Sequence, residues 1–184
     1  KLHFWLLEAA TRRELLTLTK MVQSQNLRRE AHKIADMIYE KIVGEPGAFN
    51  SRMAYVLKVG GRFELQVADS DGYAAQTILA SRDPIISPKW SPDGASLAYV
   101  SFEQQKPIVF THQLQTGRRM AVAAFRGNNS APAWSPDGKQ LAVALSKDGT
   151  TQIYLISANG GEARRFTVEG EINTEPVWTP DGRA

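Results

Sequence analysis

One pentapeptide occurs three times in this chain, each copy 44 residues after the last. Trp90-Ser91-Pro92-Asp93-Gly94 returns as Trp134-Ser135-Pro136-Asp137-Gly138 and as Trp178-Thr179-Pro180-Asp181-Gly182. A fixed period of about 40–45 residues is the span of one four-stranded propeller blade. A blade cannot bury both faces alone. Such a chain must stack blades around an axis and present a ring of loops to its surroundings.

The residues between the copies support this reading. Met53, Leu97 and Leu141 share one repeat position and open strands at 53–57, 97–101 and 141–145. Second strands follow at 63–68, 108–113 and 152–157, and third strands at 76–79, 119–122 and 164–168. A fourth short stretch leads into each Trp and carries Pro88, Pro132 or Pro176. Turns at Asp71-Gly72, Thr116-Gly117 and Asn159-Gly160-Gly161 separate them. Short strands with glycine turns and no intervening helices indicate antiparallel blades rather than βαβ units. In the repeated motif, Pro pre-sets the second turn position, Asp hydrogen-bonds locally, and Gly accepts a positive φ at the fourth. Each Trp is expected to pack between neighbouring blades.

Residues before about position 50 do not follow the repeat. Residues 4–7 and 15–22 have strand composition, with a turn at Thr11-Arg12-Arg13. Leu27, Ala31, Ile34, Ala35, Ile38, Ile42 and Val43 then mark one face of a helix over 27–43. Asn26 is its expected N-cap, Gly44 its left-handed terminator, and Pro46 a block to continuation. The fold class expected is therefore mainly β. It is a β-propeller, represented by about three blades over 49–184, preceded at 1–48 by the C-terminal part of a small α/β domain. The chain begins Lys1-Leu2-His3 and stops just after a repeat motif, so both ends read as cuts through a longer protein.

Function classes narrow quickly. The net charge of +3 is spread along the sequence and forms no nucleic-acid footprint. No apolar run approaches the roughly 18 residues that span a bilayer. There is no cysteine. No nucleophile elbow, P-loop or dinucleotide fingerprint occurs. His3, His32 and His112 share no metal-ligand spacing. Asp93, Asp137 and Asp181 lie one per blade, far apart around the ring, so they read as turn formers rather than a catalytic carboxylate pair. What does vary between blades is the loop before each Trp: Asp83 to Ser87, Arg126 to Ala131, and Glu171 to Glu175. Equivalent loops fall on one face of the ring, and loops on a rigid scaffold are where binding residues sit.

The junction from helix to first blade carries a resemblance. Ala35-Asp36-Met37-Ile38-Tyr39-Glu40-Lys41-Ile42-Val43-Gly44, Gly47-Ala48-Phe49 and Arg52-Met53-Ala54-Tyr55-Val56 resemble the TolB family, the periplasmic β-propellers of the Tol-Pal system. Ser70-Asp71-Gly72-Tyr73, Leu97 to Glu103 and Asn173-Thr174-Glu175-Pro176 resemble it too. The resemblance implies a six-bladed propeller in the periplasm, without enzymatic activity, acting in outer-membrane integrity and envelope constriction during division. It implies binding of the peptidoglycan-associated lipoprotein Pal, contact with TolA through an N-terminal segment, and exploitation by colicins. No nucleic acid and no direct membrane insertion are expected. Pal-facing positions carried over from the family are Ile86, Ser87, Asn128, Asn129, Ser130, Ala131, Asn173, Thr174 and Glu175. Some family members carry His where this chain has Asn128. The family's channel can hold calcium when a partner is bound, but these residues set out no calcium site, so no cofactor and no metal are expected. Ala131→Arg and Thr174→Arg are expected to weaken Pal binding without loss of stability. Because the Trp motif also occurs in propellers of prolyl-oligopeptidase-like and tricorn-like proteases, an alternative remains: a substrate-gating propeller of such a protease.

Overall fold

The computed structural model describes residues 1–182. The last two residues of the partial propeller assigned from sequence, Arg183 and Ala184, lie outside the described residues. The chain divides into two compact units. One comprises Lys1–Met53 with Ala68–Ala75, the other Ala54–Val67 with the chain from Gln76 onward.

In the first unit, β1 (Leu2–Leu7) and β2 (Glu14–Lys20) form an antiparallel hairpin. Leu2, Phe4 and Leu6 are half-buried and alternate with exposed His3, Trp5 and Leu7, which is the period of a strand with one covered face. Helix α1 (Leu27–Val43) follows a short 3-10 turn at Ser24–Asn26. Gly44 ends it as expected, at φ 84° with its N–H bonded to Glu40 O. Asn26 does not cap it as expected. The preceding turn already holds Asn26 in the right-handed helical region, and its side chain makes no capping bond. Further along the helix, the Asp36 carboxylate accepts the Phe49 and Asn50 amides at 2.7 and 3.0 Å. Gly47 passes so close that a Cβ there would lie 2.7 Å from Asp36 Cα, which explains a glycine at this point of the helix-to-blade junction.

Three antiparallel sheets follow. The first has the order β3-β4-β5 (Arg52–Val59, Arg62–Asp69, Gln76–Ser81). The second is β6-β7-β8-β9 (Ile85–Trp90, Ser96–Ser101, Ile108–Gln113, Arg119–Ala123). The third is β10-β11-β12-β13 (Asn129–Trp134, Gln140–Leu145, Gln152–Ser157, Arg164–Arg165). Tyr99 pairs with Phe110 in one sheet and Val143 with Tyr154 in the next, so the register itself repeats. The stretch before each Trp begins a sheet rather than completing the preceding one. This follows from the turn: Gly94 N and Gly138 N each bond at 2.9 Å to the carbonyl of the second residue of their motif, Ser91 and Ser135, so the flanking strands must pair. The corresponding stretch before Trp178 is not a strand, having no strand to pair with among the described residues.

Both faces of the middle sheet are buried. Leu97, Tyr99, Ile108 and Phe110 pack with Leu65 and Val67 of the first sheet. Ala98, Val100, Val109 and Val122 pack with Leu141, Val143, Tyr154 and Ile156 of the third. A strand with cover on both sides reads as a continuous apolar run, and Leu97 to Val100 is one. The tryptophans bridge blades as expected. Trp134 Nε1 donates to Lys89 O at 3.2 Å, and Trp178 Nε1 to Ala133 O at 3.0 Å. Each indole therefore reaches the carbonyl just before the Trp of the preceding blade.

Candidate functional site

Strand direction places every variable loop at one end of the sheets. Ile85 pairs with Ser101 and Ser101 with Ile108, so the loops 82–84 and 102–107 lie side by side. Asn129 pairs with Leu145 and Leu145 with Gln152, so 124–128 and 146–151 do the same one blade on. Phe102 N donates to Pro84 O at 3.0 Å, and Ser146 N to Asn128 O at 3.1 Å, which is the same tie in consecutive blades. The second ring of loops, at 102–107 and 146–151, was not singled out from sequence. Its spacing equals that of the motif, but its residues carry no repeated signature.

Within this face the carried-over positions differ in character. Ile86 is 44% exposed, and Thr174 and Glu175 are exposed. Ser87, Asn128 and Ser130 are half-buried. Asn128 Nδ2 donates to Ser130 Oγ at 2.8 Å, and its own amide donates to Ser146 Oγ at 2.8 Å. Asn129 is 0% exposed. Its Oδ1 accepts Phe125 N at 2.9 Å, and its Nδ2 reaches the carbonyls of Pro107, Phe125 and Gly127 at 3.2, 2.9 and 3.2 Å. Asn173 occupies the same repeat position and repeats one of these bonds, Nδ2 to Glu169 O at 2.8 Å. Both side chains hold loops rather than project from them, and the Asn pair at motif spacing was a readable sign of this. Gln152, 1% exposed, braces the third loop: its amide reaches Gly170 O at 3.0 Å, and its Oε1 accepts Thr167 Oγ1 and Asn173 Nδ2.

Ala131 is 5% exposed and packs with Ala142, Ala144 and Ile153, beside Trp178. An arginine there would overfill that cluster, so Ala131→Arg cannot leave stability unchanged as the sequence suggested. Ser87, Ala131 and Glu175 share a further property: each has positive φ (54°, 48° and 52°) and each precedes a proline. The pairing register slips at the first two, between Ile86 and Lys89 and between Ser130 and Ala133. A left-handed residue before proline is strained. Its recurrence in all three repeats makes it part of the architecture, and in the first two it coincides with a bulge in the strand pairing.

The groups with altered acidity serve structure. The Ser91 hydroxyl, with the Ala95 amide, holds Asp93 below the usual carboxylate range, and Ser135 with Lys139 N does the same for Asp137. Adjacent turns stand closer than a reading of one Asp per blade implies. Asp93 and Asp137 open on the same inter-blade groove, and a Cβ on Gly138 would touch Pro92 at 3.8 Å. Each carboxylate nevertheless stays within its own turn. In the middle blade, burial pushes Tyr99 up to about 12 and holds His112 low. Arg119 Nε donates to the Tyr99 hydroxyl at 2.5 Å, pairs with Glu103, and stacks on Phe110 at 3.8 Å. Among the described residues, one set of three potential metal ligands converges: His32, Asp69 and Asp71 in the first unit. Sequence spacing could not show it, because the helix and the turn meet only through the fold. Arg28 already fills the position of a cation there. Its Nε lies 3.7 Å from Asp69, its Nη2 bonds Asp71, and its guanidinium stacks on Tyr73 at 4.0 Å.

Stacked antiparallel sheets joined by indole-to-carbonyl bonds, with loops tied at one end, define a β-propeller. A family model described as the TolB beta propeller domain matches residues 39–184. The Tol-Pal system protein TolB of Methylobacillus flagellatus is 53% identical over 131 residues, covering 71% of this chain and 30% of that protein. That of Bordetella pertussis is 64% identical over 107 residues, covering 58% of this chain and 24% of that protein. The crystal structure of TolB from Acinetobacter baumannii superposes with a TM-score of 0.90 at 38% identity, covering 98% of this chain and 46% of that one. The chain belongs to the TolB β-propeller family. It spans about a third or less of the length of these curated relatives.

Proposed function

We propose that this chain supplies part of the propeller of a non-enzymatic Tol-Pal scaffold, and that its loop face binds the lipoprotein Pal. The observation that carries the reading is the construction of that face. Buried Asn129 and Gln152, with half-buried Asn173, fix the loops from beneath, while Thr174 and Glu175 on the third loop and Ile86 at the start of β6 stay exposed. Rigid loops with variable, exposed tips on a repeating scaffold are what a protein-binding surface requires. Family membership supplies the partner class, and the curated relatives favour a Tol-Pal protein over the propeller of a protease. In this reading the protein works in the periplasm in outer-membrane integrity and envelope constriction. TolA engages a segment outside this chain, and colicins compete for the same surface.

Calorimetry of the full-length protein with a soluble Pal domain tests this. Binding is expected, and its absence at tens of micromolar would sink the reading. Thr174→Arg should weaken binding by at least tenfold while stability changes by no more than about 0.5 kcal/mol, the usual range for exposed positions. Ala131→Arg is the contrasting control. It should lower stability by about 1–3 kcal/mol through overpacking, whatever it does to binding.

A further inference from the structure

The exposed charges of the loop face are not mixed evenly. Arg62, Arg82, Lys106 and Arg126 all stand at the loop ends of the first two sheets and the connection to the third, and all are exposed. Glu169, Glu171 and Glu175 stand on the loop that follows the third sheet, and they are exposed too. None of these seven side chains enters an ion pair among the described residues. The opposite charges nearby are largely matched internally. Glu103 pairs with Arg119 at 2.8 Å and Lys147 pairs with Asp148 at 2.9 Å, while exposed Arg165, whose Nε donates to Thr167 O at 2.7 Å, offsets part of the acidic side. Half-buried Asp83 offsets part of the basic side without reversing it. One sector of the face is thus basic and the adjoining sector acidic.

Resting on the reading of this face as the Pal surface, we infer that it recognises a partner with the reverse charge pattern: acidic groups opposite the first two sheets and basic groups opposite the third. Segregated charge of this kind orients a partner during approach and suppresses inverted encounters. Its effect falls mainly on the association rate, because exposed charges at a rim are screened and contribute little once the complex is dry at its centre. Such an arrangement suits a scaffold that must recapture its partner after each release. It also sets the rotational register of the partner on the loop face, which exposed apolar residues such as Ile86 alone would leave loose.

Stopped-flow association of full-length protein with the soluble Pal domain, from 50 to 300 mM salt, tests this. The association rate should fall about tenfold over that range, with dissociation nearly unchanged. The double variant Arg82→Glu/Arg126→Glu should slow association several-fold and flatten the salt dependence. Glu169→Lys/Glu171→Lys should do the same from the other sector, and thermal melts should match the parent in both cases. Tight binding at a rate insensitive to salt and to both reversals would overturn the inference and leave the Pal reading standing. Failure of the parent protein to bind at all would overturn both.

Discussion

Asn129 joins four backbone positions through one side chain, and its burial gives those bonds their weight. Removing this fully buried amide takes the partner from the Phe125 N–H and from three carbonyls at once. Asn129→Ala should therefore cost about 3 kcal/mol, read as a lower urea midpoint. Asn173→Ala, on a half-buried side chain, should cost less. This ordering was not legible in the sequence, where both asparagines look like loop residues available to a partner. Their identity in two consecutive repeats was the visible hint, since a position under the same structural demand in each blade keeps the same residue. Ala131 escaped for a different reason. Its burial comes from Ala142, Ala144 and Ile153 on neighbouring strands, and no local pattern encodes that.

At the scale of the element, the repeated turn does two jobs that the pentapeptide spelled out in advance. Pro and Gly set its backbone, and the Ser-Asp pair closes it. The resulting carboxylates make stability depend on pH. Asp93 and Asp137 have folded-state pKa values below their ordinary ones, so the stability they add is present above about pH 4 and is lost as pH falls through the lowered values. The melting temperature should drop between pH 5 and 3, and Asp137→Asn should shrink that drop. An equally steep drop in the variant would mean the turn carboxylates contribute nothing. Trp was readable as a blade-to-blade contact, but not the bond it makes. Trp134→Phe keeps most of the ring packing and removes the donor to Lys89 O, so it should cost about 1 kcal/mol. Trp134→Ala should cost about 3–5 kcal/mol. The stretch that comes fourth in sequence order is the first strand of the next sheet, because the repeat in space starts at the strand before the motif. Pairing across a tight turn decides the physical unit.

For the molecule as a whole, the repeat period announced stacked blades, and the structure shows what the stacking implies for stability. Among the described residues the middle sheet packs on a neighbour on either side: Leu97 and Tyr99 face the first sheet, Ala98 and Val100 the third. Stability in such an array is close to a sum of sheet terms and nearest-neighbour interface terms. A defect should then spread by one interface and weaken beyond it. Val143 is fully buried between the second and third sheets, and Val143→Ala leaves a cavity there. Hydrogen exchange on the full-length protein should show faster amides in β7, β8, β11 and β12, with β4 in the first sheet changed much less. Uniform acceleration through all three sheets would show instead that the blades open as one cooperative body. In that case, a partner binding any loop would steady every blade equally. If the defect stays local, the loops tied by Asn129 and Gln152 respond mainly to their own interface. The acidic sector beyond the third sheet could then loosen while the basic sector holds its form.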